Sequence, residues 1–237
     1  MTYIFAHRGD SYHLPENTLS AIRSGCTSGA EGVEFDVQIT KDGNLVIFHD
    51  RDGMRILGDP RSMADYSLAE VKELDAGRWR GYFARIPTLD EVIHTVSCSM
   101  IVEVKPQWRK IEENFVLEQK ILDTLDNHGT NLGRGYISVR TAESMEYIRN
   151  HSNYPVGMMQ KKRSIEEFQE IVESYSVEFA QIRWKQYSEP QIQDLKRISK
   201  VVAFYADTPS EWDTLSSYHI YGVLTNKPRS MTAYLDM

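Results

Sequence analysis

At 237 residues the chain is long enough for one large domain or two small ones with a sizeable buried core. Its 27 Lys and Arg against 34 Asp and Glu leave a net charge of −7, and 41% of its residues are hydrophobic. That balance excludes a disordered chain and speaks against a general binder of nucleic acid or anionic membranes, although a locally positive pocket could still hold an anion. The apolar runs, such as 201–206, are far below the ~18–20 residues of a membrane span. The first eight residues lack a basic region followed by a long apolar one, so the expected location is cytoplasmic. Cys26 and Cys98 have no metal-like spacing; two reduced, buried thiols are expected, with one disulfide as the alternative.

Short β-branched or aromatic runs predict strands at 2–6, 32–39, 44–48, 100–104, 135–139, 155–159, 178–182, 200–205 and 220–224. Amphipathic windows predict helices at 18–28, 89–96, 111–127, 142–150, 165–174, 189–198 and 211–216, several preceded by caps such as Thr88, Thr141, Ser164 and Ser188. Asp42-Gly43 marks a tight antiparallel turn. With those two as the turn residues, Asp36 would face His49 across the hairpin. Setting that return strand aside leaves about eight strands in βα alternation. This pattern predicts an α/β fold, a (β/α)8 TIM barrel, with a doubly wound sheet as the competitor. Residues 51–87 break the rhythm and form a small insertion, either a lid beside the site or a packed connector whose aromatics build a minor core.

Glu34 and Asp36 lie two apart, hence on one face of a strand. Inward carboxylates in a barrel are costly without a cation, and a hard divalent metal would offset that cost. A solvated strand end, or an ion pair with Arg8 or Lys105, is the plainer explanation. Glu103 and Lys105 repeat the spacing at another strand end, as candidate metal ligand and anion-binding cation, or as a simple salt bridge. Barrel sites gather residues from several strand ends, so the two signals reinforce each other. His7-Arg8-Gly9 closes the first strand with an acid–base group, an anion-binding fork and a residue free to turn sharply. His49 ends the return strand, and two histidines near carboxylates suit phosphoryl or acyl chemistry. Asn17 or Thr18 caps the first helix, whose N-terminus would favour an anion. His13, His94, His128, His151 and His219 have no expected converging partners.

His7-Arg8-Gly9, Pro15-Glu16-Asn17-Thr18, Glu34-Phe35-Asp36, Asp42-Gly43, His49-Asp50, Pro87-Thr88-Leu89-Asp90-Glu91-Val92 and Glu103-Val104-Lys105 together resemble the glycerophosphodiester phosphodiesterases of the short, cytoplasmic bacterial type. The match is dense over residues 1–105 and loose afterwards. The resemblance implies a single TIM-barrel phosphodiesterase domain over 1–237 with the insertion at 51–87. It implies that Glu34, Asp36 and Glu103 bind a divalent cation, Mg²⁺ or Ca²⁺, that His7 and His49 are the acid–base pair, and that Arg8 and Lys105 hold the phosphate. The implied substrate is a small phosphodiester, such as glycerophosphocholine or glycerophosphoethanolamine, cleaved to glycerol 3-phosphate and an alcohol. The family's route has the neighbouring glycerol hydroxyl attack, and water opens the cyclic phosphate. A lysophospholipase D-type activity and a non-catalytic binding protein are the alternatives. Nothing implies a nucleic-acid partner or marks an oligomeric interface. Three stretches depart from the family pattern: Phe204-Tyr205-Ala206-Asp207, Thr225-Asn226 before Lys227-Pro228, and Ser138-Val139-Arg140. None is expected to touch the metal or acid–base set.

Overall fold

The computed structural model describes residues 2–105 and 115–235. Its strands are β1 (Tyr3–His7), β2 (Gly32–Ile39), β3 (Leu45–Ile47), β4 (Ser99–Val104), β5 (Tyr136–Val139), β6 (Val156–Met159), β7 (Phe179–Ile182), β8 (Lys200–Phe204) and β9 (Gly222–Thr225). Eight of them pair in parallel in the order β1-β9-β8-β7-β6-β5-β4-β2, and β1 also pairs with β2, which closes the sheet. The fold is therefore a TIM barrel and not a doubly wound sheet. Period-two alternation divides its strand residues between two cores. Phe5, Ile101, Tyr136, Phe179, Val202 and Leu224 fill the lower barrel interior. Val33, Val102, Ile137, Met158, Ala180, Val201 and Val223 face the surrounding helices. Gly157 is glycine for a steric reason: a Cβ there would lie 2.5 Å from the Tyr136 ring, which stacks on Phe179 across the interior.

The helices begin where the caps place them, with the Thr88, Thr141 and Ser164 hydroxyls each accepting a backbone N–H three residues on. The helix expected over 111–127 starts outside the described residues, and its described part is Val116–Asn127. At the first helix Thr18, not Asn17, is the cap; its hydroxyl accepts from the Ala21 N–H.

Two expectations are corrected. The β2–β3 hairpin pairs Val37 with Ile47 and Ile39 with Leu45, one residue off the expected register. The loop holds three residues, Lys41, Asp42 and Gly43, with Gly43 at φ +81 and Thr40 N–H donating to the Asn44 carbonyl at 2.9 Å. Asp-Gly thus occupies the last two positions of a three-residue loop, a common hairpin form. Asp36 faces Phe48, not His49. The second correction concerns the cysteines: Cys26 and Cys98 are joined in a disulfide. It links the end of the helix Leu19–Cys26 to the approach to β4.

Residues 51–87 build a minor core of Ile56, Met63, Tyr66, Val71, Ala76 and Ile86 on a shelf made by Val46 and Phe48 of the hairpin. Its aromatics 79, 82 and 83 take no part and are exposed. Among the described residues no helix is long and apolar enough to cross a membrane.

Candidate active site

Parallel register brings the chemistry together at the C-terminal ends of the strands. His7 is laddered to Glu34, and Asp36 to Glu103. Glu34, Asp36 and Glu103 are buried, and their carboxylate oxygens lie within 4.8 Å of one another. Two backbone devices complete the entrance. Gly9 lies so close to the first helix that a Cβ would meet the Ala21 carbonyl carbon at 2.3 Å. Arg8, at φ +55, can then aim its N–H at Glu34 Oε2 (3.0 Å).

Fixed cations compensate Asp36 and one oxygen of Glu103. Lys105 Nζ, with its side chain 1% exposed, donates to Asp36 Oδ1 at 2.9 Å and Glu103 Oε1 at 3.0 Å. Arg140 Nε donates to Glu103 Oε1 at 2.9 Å, and Arg8 Nε stands 3.4 Å from Asp36 Oδ2. Asn17 Nδ2 donates to the same Asp36 oxygen at 2.7 Å. Burial alone would raise the Asp36 carboxyl, but Lys105, His49 and Arg8 hold it well below the usual range. Glu34 goes the other way: burial, then Asp36 and Glu103, push it well above. Its Oε1 is buried without a hydrogen-bond partner. An uncompensated carboxylate oxygen beside two more carboxylates fits a hard divalent cation bound through oxygen.

The histidines stand on opposite anchors. His7 Nδ1–H donates to Asn226 Oδ1 at 2.7 Å, which leaves Nε2 on the Glu34 side, 3.8 Å from its Oε2. Asn226 is oriented in turn, because its Nδ2 donates to Asp207 Oδ2 and its N–H to Asp207 Oδ1, both at 2.7 Å. The Tyr205 ring packs 4.4 Å from the imidazole. Burial, with Arg8 beside it, lowers His7 to about 3, so it is neutral near pH 7. His49 Nδ1 bonds Asp50 Oδ1 at 2.6 Å. Arg55, from the insertion, donates to both Asp50 oxygens and to both Glu16 oxygens, and Glu16 accepts from Arg8 at 2.7 Å. A series of hydrogen bonds, closed by the Arg8–Asp36 ion pair, therefore runs from His49 to the carboxylate trio. His7, Arg8, Glu34, His49 and Glu103 share a cavity of about 230 Å³, with Arg140, Lys161, Lys162 and Arg183 on its far wall.

All seven residues singled out from the sequence thus meet at one barrel mouth: His7, Arg8, Glu34, Asp36, His49, Glu103 and Lys105. The expectation that the departing stretches avoid this set is wrong. Arg140 bonds Glu103, Tyr205 packs on His7, and Asp207 orients the Asn226 that holds His7. Their strand-end positions were the available signal, since barrel strands deliver site residues there. His94 and His128 also converge, with ring centres 4.8 Å apart and His128 bonded to Asp90, but on the exposed surface.

A closed barrel whose C-terminal mouth gathers a buried carboxylate trio and two histidines defines a class of barrel proteins with an acidic cluster compatible with a divalent cation. The pattern of the glycerophosphoryl diester phosphodiesterase family matches residues 7–230, and the chain belongs to that family. A glycerophosphodiester phosphodiesterase of Caldanaerobacter subterraneus subsp. tengcongensis is 46% identical over 98 residues, 40% of each chain. One from Bacillus altitudinis is 36% identical over 149 residues, 55% of this chain and 60% of its own. The matches thus span about half the length of these curated relatives. A phosphodiesterase of Oleispira antarctica, solved with the product sn-glycerol 3-phosphate, has a TM-score of 0.87 at 25% identity and covers 100% of this chain and 98% of its own. A glycerophosphodiester phosphodiesterase of Thermotoga maritima, at 23% identity and a TM-score of 0.79, shares the fold over 98% of each chain.

Proposed function

We propose that the protein hydrolyses glycerophosphodiesters, such as glycerophosphocholine or glycerophosphoethanolamine, to glycerol 3-phosphate and an alcohol. The observation that carries this reading is the convergence of His7 and His49 on the Glu34–Asp36–Glu103 trio. Glu34, Asp36 and Glu103 would hold a divalent cation, Mg²⁺ or Ca²⁺, which when bound supplies positive charge beside the phosphate. Arg8 and Lys105 add fixed positive charge at the same wall and offset the anionic repulsion that makes a phosphodiester a poor electrophile.

His7, neutral and with Nδ1–H committed to Asn226, presents Nε2 to take the proton of the attacking hydroxyl. As the new P–O bond forms and the P–O bond to the alcohol breaks, His49, steadied through Nδ1 by Asp50, gives a proton to the leaving alkoxide. A neighbouring glycerol hydroxyl as nucleophile would give a cyclic phosphate, opened by water with the histidines exchanging roles.

The test uses metal-stripped protein, both diesters and Mg²⁺ or Ca²⁺ added back, with glycerol 3-phosphate as the readout. Release that depends on the cation supports the reading. Folded protein that releases nothing with either ion overturns it. The exposed aromatics at 79, 82 and 83 favour lysophospholipids as the second substrate to try.

A further inference from the structure

Residues 76–84 form a loop with a tied neck. The Ala76 N–H donates to the Ala84 carbonyl at 2.7 Å, and Asp75 Oδ1 accepts from the N–H groups of Gly77 (2.9 Å) and Ala84 (3.0 Å). This scaffold holds apolar side chains in water: Phe83 is 71% exposed, Tyr82 53% and Trp79 42%. Met54 and Tyr12 are also exposed, so five of the eight exposed large hydrophobics among the described residues belong to the insertion or to the loop it touches. A side chain the size of Phe left in water forgoes the favourable transfer its burial would bring. The same segment builds a minor core yet leaves these rings out of it.

Arginines are interleaved with them. Residues 76–89 contain Arg78, Arg80 and Arg85 and no Asp or Glu, within a chain of net charge −7. Arg80 is fixed, donating to the Tyr12 and Ser11 carbonyls at 2.5 and 2.8 Å while lying 4.6 Å over the Trp79 ring. Lys227 lies 4.4 Å over Tyr12. Tyr12, Arg80 and Lys227 also line an outer cavity that reaches His7 and Arg8, so whatever this rim rests on faces the barrel mouth.

We propose that the tip of this loop, Trp79, Tyr82 and Phe83 with Arg78, Arg80 and Arg85, docks the protein onto an anionic lipid surface. Rigid aromatics flanked by arginine suit the headgroup layer, where rings enter the interface and cations meet lipid charge. A second copy is a poorer occupant, because self-association would bring two arginine-rich tips together. The proposal is independent of the reaction, since it concerns adsorption and is read without turnover.

The test is cosedimentation of the full chain with phosphatidylcholine vesicles, with and without phosphatidylglycerol. Retention is expected only on the anionic vesicles and should weaken as salt rises. Each arginine near the surface accounts for about fivefold in partition. Arg78→Glu/Arg85→Glu should therefore lose at least ~25-fold, and Tyr82→Ser/Phe83→Ser should lose retention as well. Hydrolysis of a soluble diester should stay unchanged in both variants, since none of these four residues lines the cavities of the site. Wild-type protein that stays in the supernatant overturns the proposal, as does either folded variant that sediments like wild type. Dimers that disperse in the Tyr82→Ser/Phe83→Ser variant also overturn it, by giving the patch to a second copy. If the serine variant does not fold, the arginine variant decides.

Discussion

The two arcs of the barrel mouth are built differently. On the arc formed by β1, β2 and β4 the cations are paired and the imidazole is anchored: Lys105 is held by two carboxylates, Arg8 by Glu16 and Asp36, and His49 bonds Asp50. On the opposite arc, beyond β6 and β7, Lys162 and Arg183 line the same cavity with exposed side chains. Burial explains the contrast. A charge inside a barrel persists only if partners replace its lost water, so the reaction centre becomes over-determined. Side chains that remain in water, like those of Lys162 and Arg183, have no such demand. On the proposed function the difference would separate turnover from substrate choice, and it can be broken at graded depths.

The deepest break is His49→Ala. Removing one acid–base partner from the determined arc should lower kcat about 10²- to 10⁴-fold. The melting midpoint should hardly move, because His49 is not part of any apolar core. Turnover within twofold of wild type would remove His49 from the reaction.

Next comes the covalent tie. The Cys26–Cys98 bridge lies behind the same arc and spans 72 residues of sequence. By the chain-entropy argument it stabilises the fold by about 4 kcal/mol. Chemical denaturation with and without reductant should show a loss of that order, with a larger m in the reduced protein, whose unfolded chain is no longer held compact by the cross-link. An equal midpoint in both conditions would mean the thiols are free in solution. Such a bridge suits an oxidising compartment, against the cytoplasmic expectation.

The determined arc was also the legible one. Glu34, Asp36, Glu103 and Lys105 announce themselves because charged residues at alternate positions of a buried strand need a reason, and His7 and His49 end strands beside them. The hairpin register was not legible. Asp-Gly fits both a two-residue and a three-residue loop, and only the Thr40–Asn44 pairing decides between them. The disulfide stood only as the alternative because 72 residues of separation give no distance, whereas the fold sets the two Cα atoms 5.5 Å apart. Asn226, Asp207 and Arg140 were seen only as departures from a pattern. Their contacts with His7 and Glu103 join strands far apart in sequence, and no local periodicity reports such a contact.

That miss supplies a subtler break. Asp207 and Asn226 form one amide–carboxylate pair, with the amide turned so that its oxygen receives the His7 Nδ1–H. Asn226→Asp would set two carboxylates against each other, and Asp207→Asn would let the pair flip. Each should cost about 10- to 100-fold in kcat with KM little changed, through a misdirected imidazole. The double exchange Asp207→Asn/Asn226→Asp restores an amide–carboxylate pair with a carboxylate oxygen toward His7, and should recover most of the loss. If the double variant is no better than the worse single one, the pair does not act by orienting His7.

The gentlest change falls on the open arc. Arg183 stands just past β7 with an exposed side chain, and it shares the cavity with Lys161 and Lys162. Solvent already screens it, so Arg183→Ala should leave kcat within twofold. Its effect should appear in KM, where a rim cation contributes about 0.2–1 kcal/mol, or roughly a 1.5- to 5-fold rise. The rise should be larger for a diester with an anionic alcohol than for one carrying choline, because a positive wall discriminates by the sign of the group that approaches it. Equal KM changes for the two substrates would place the alcohol elsewhere, and a large drop in kcat would show that the open arc takes part in the reaction.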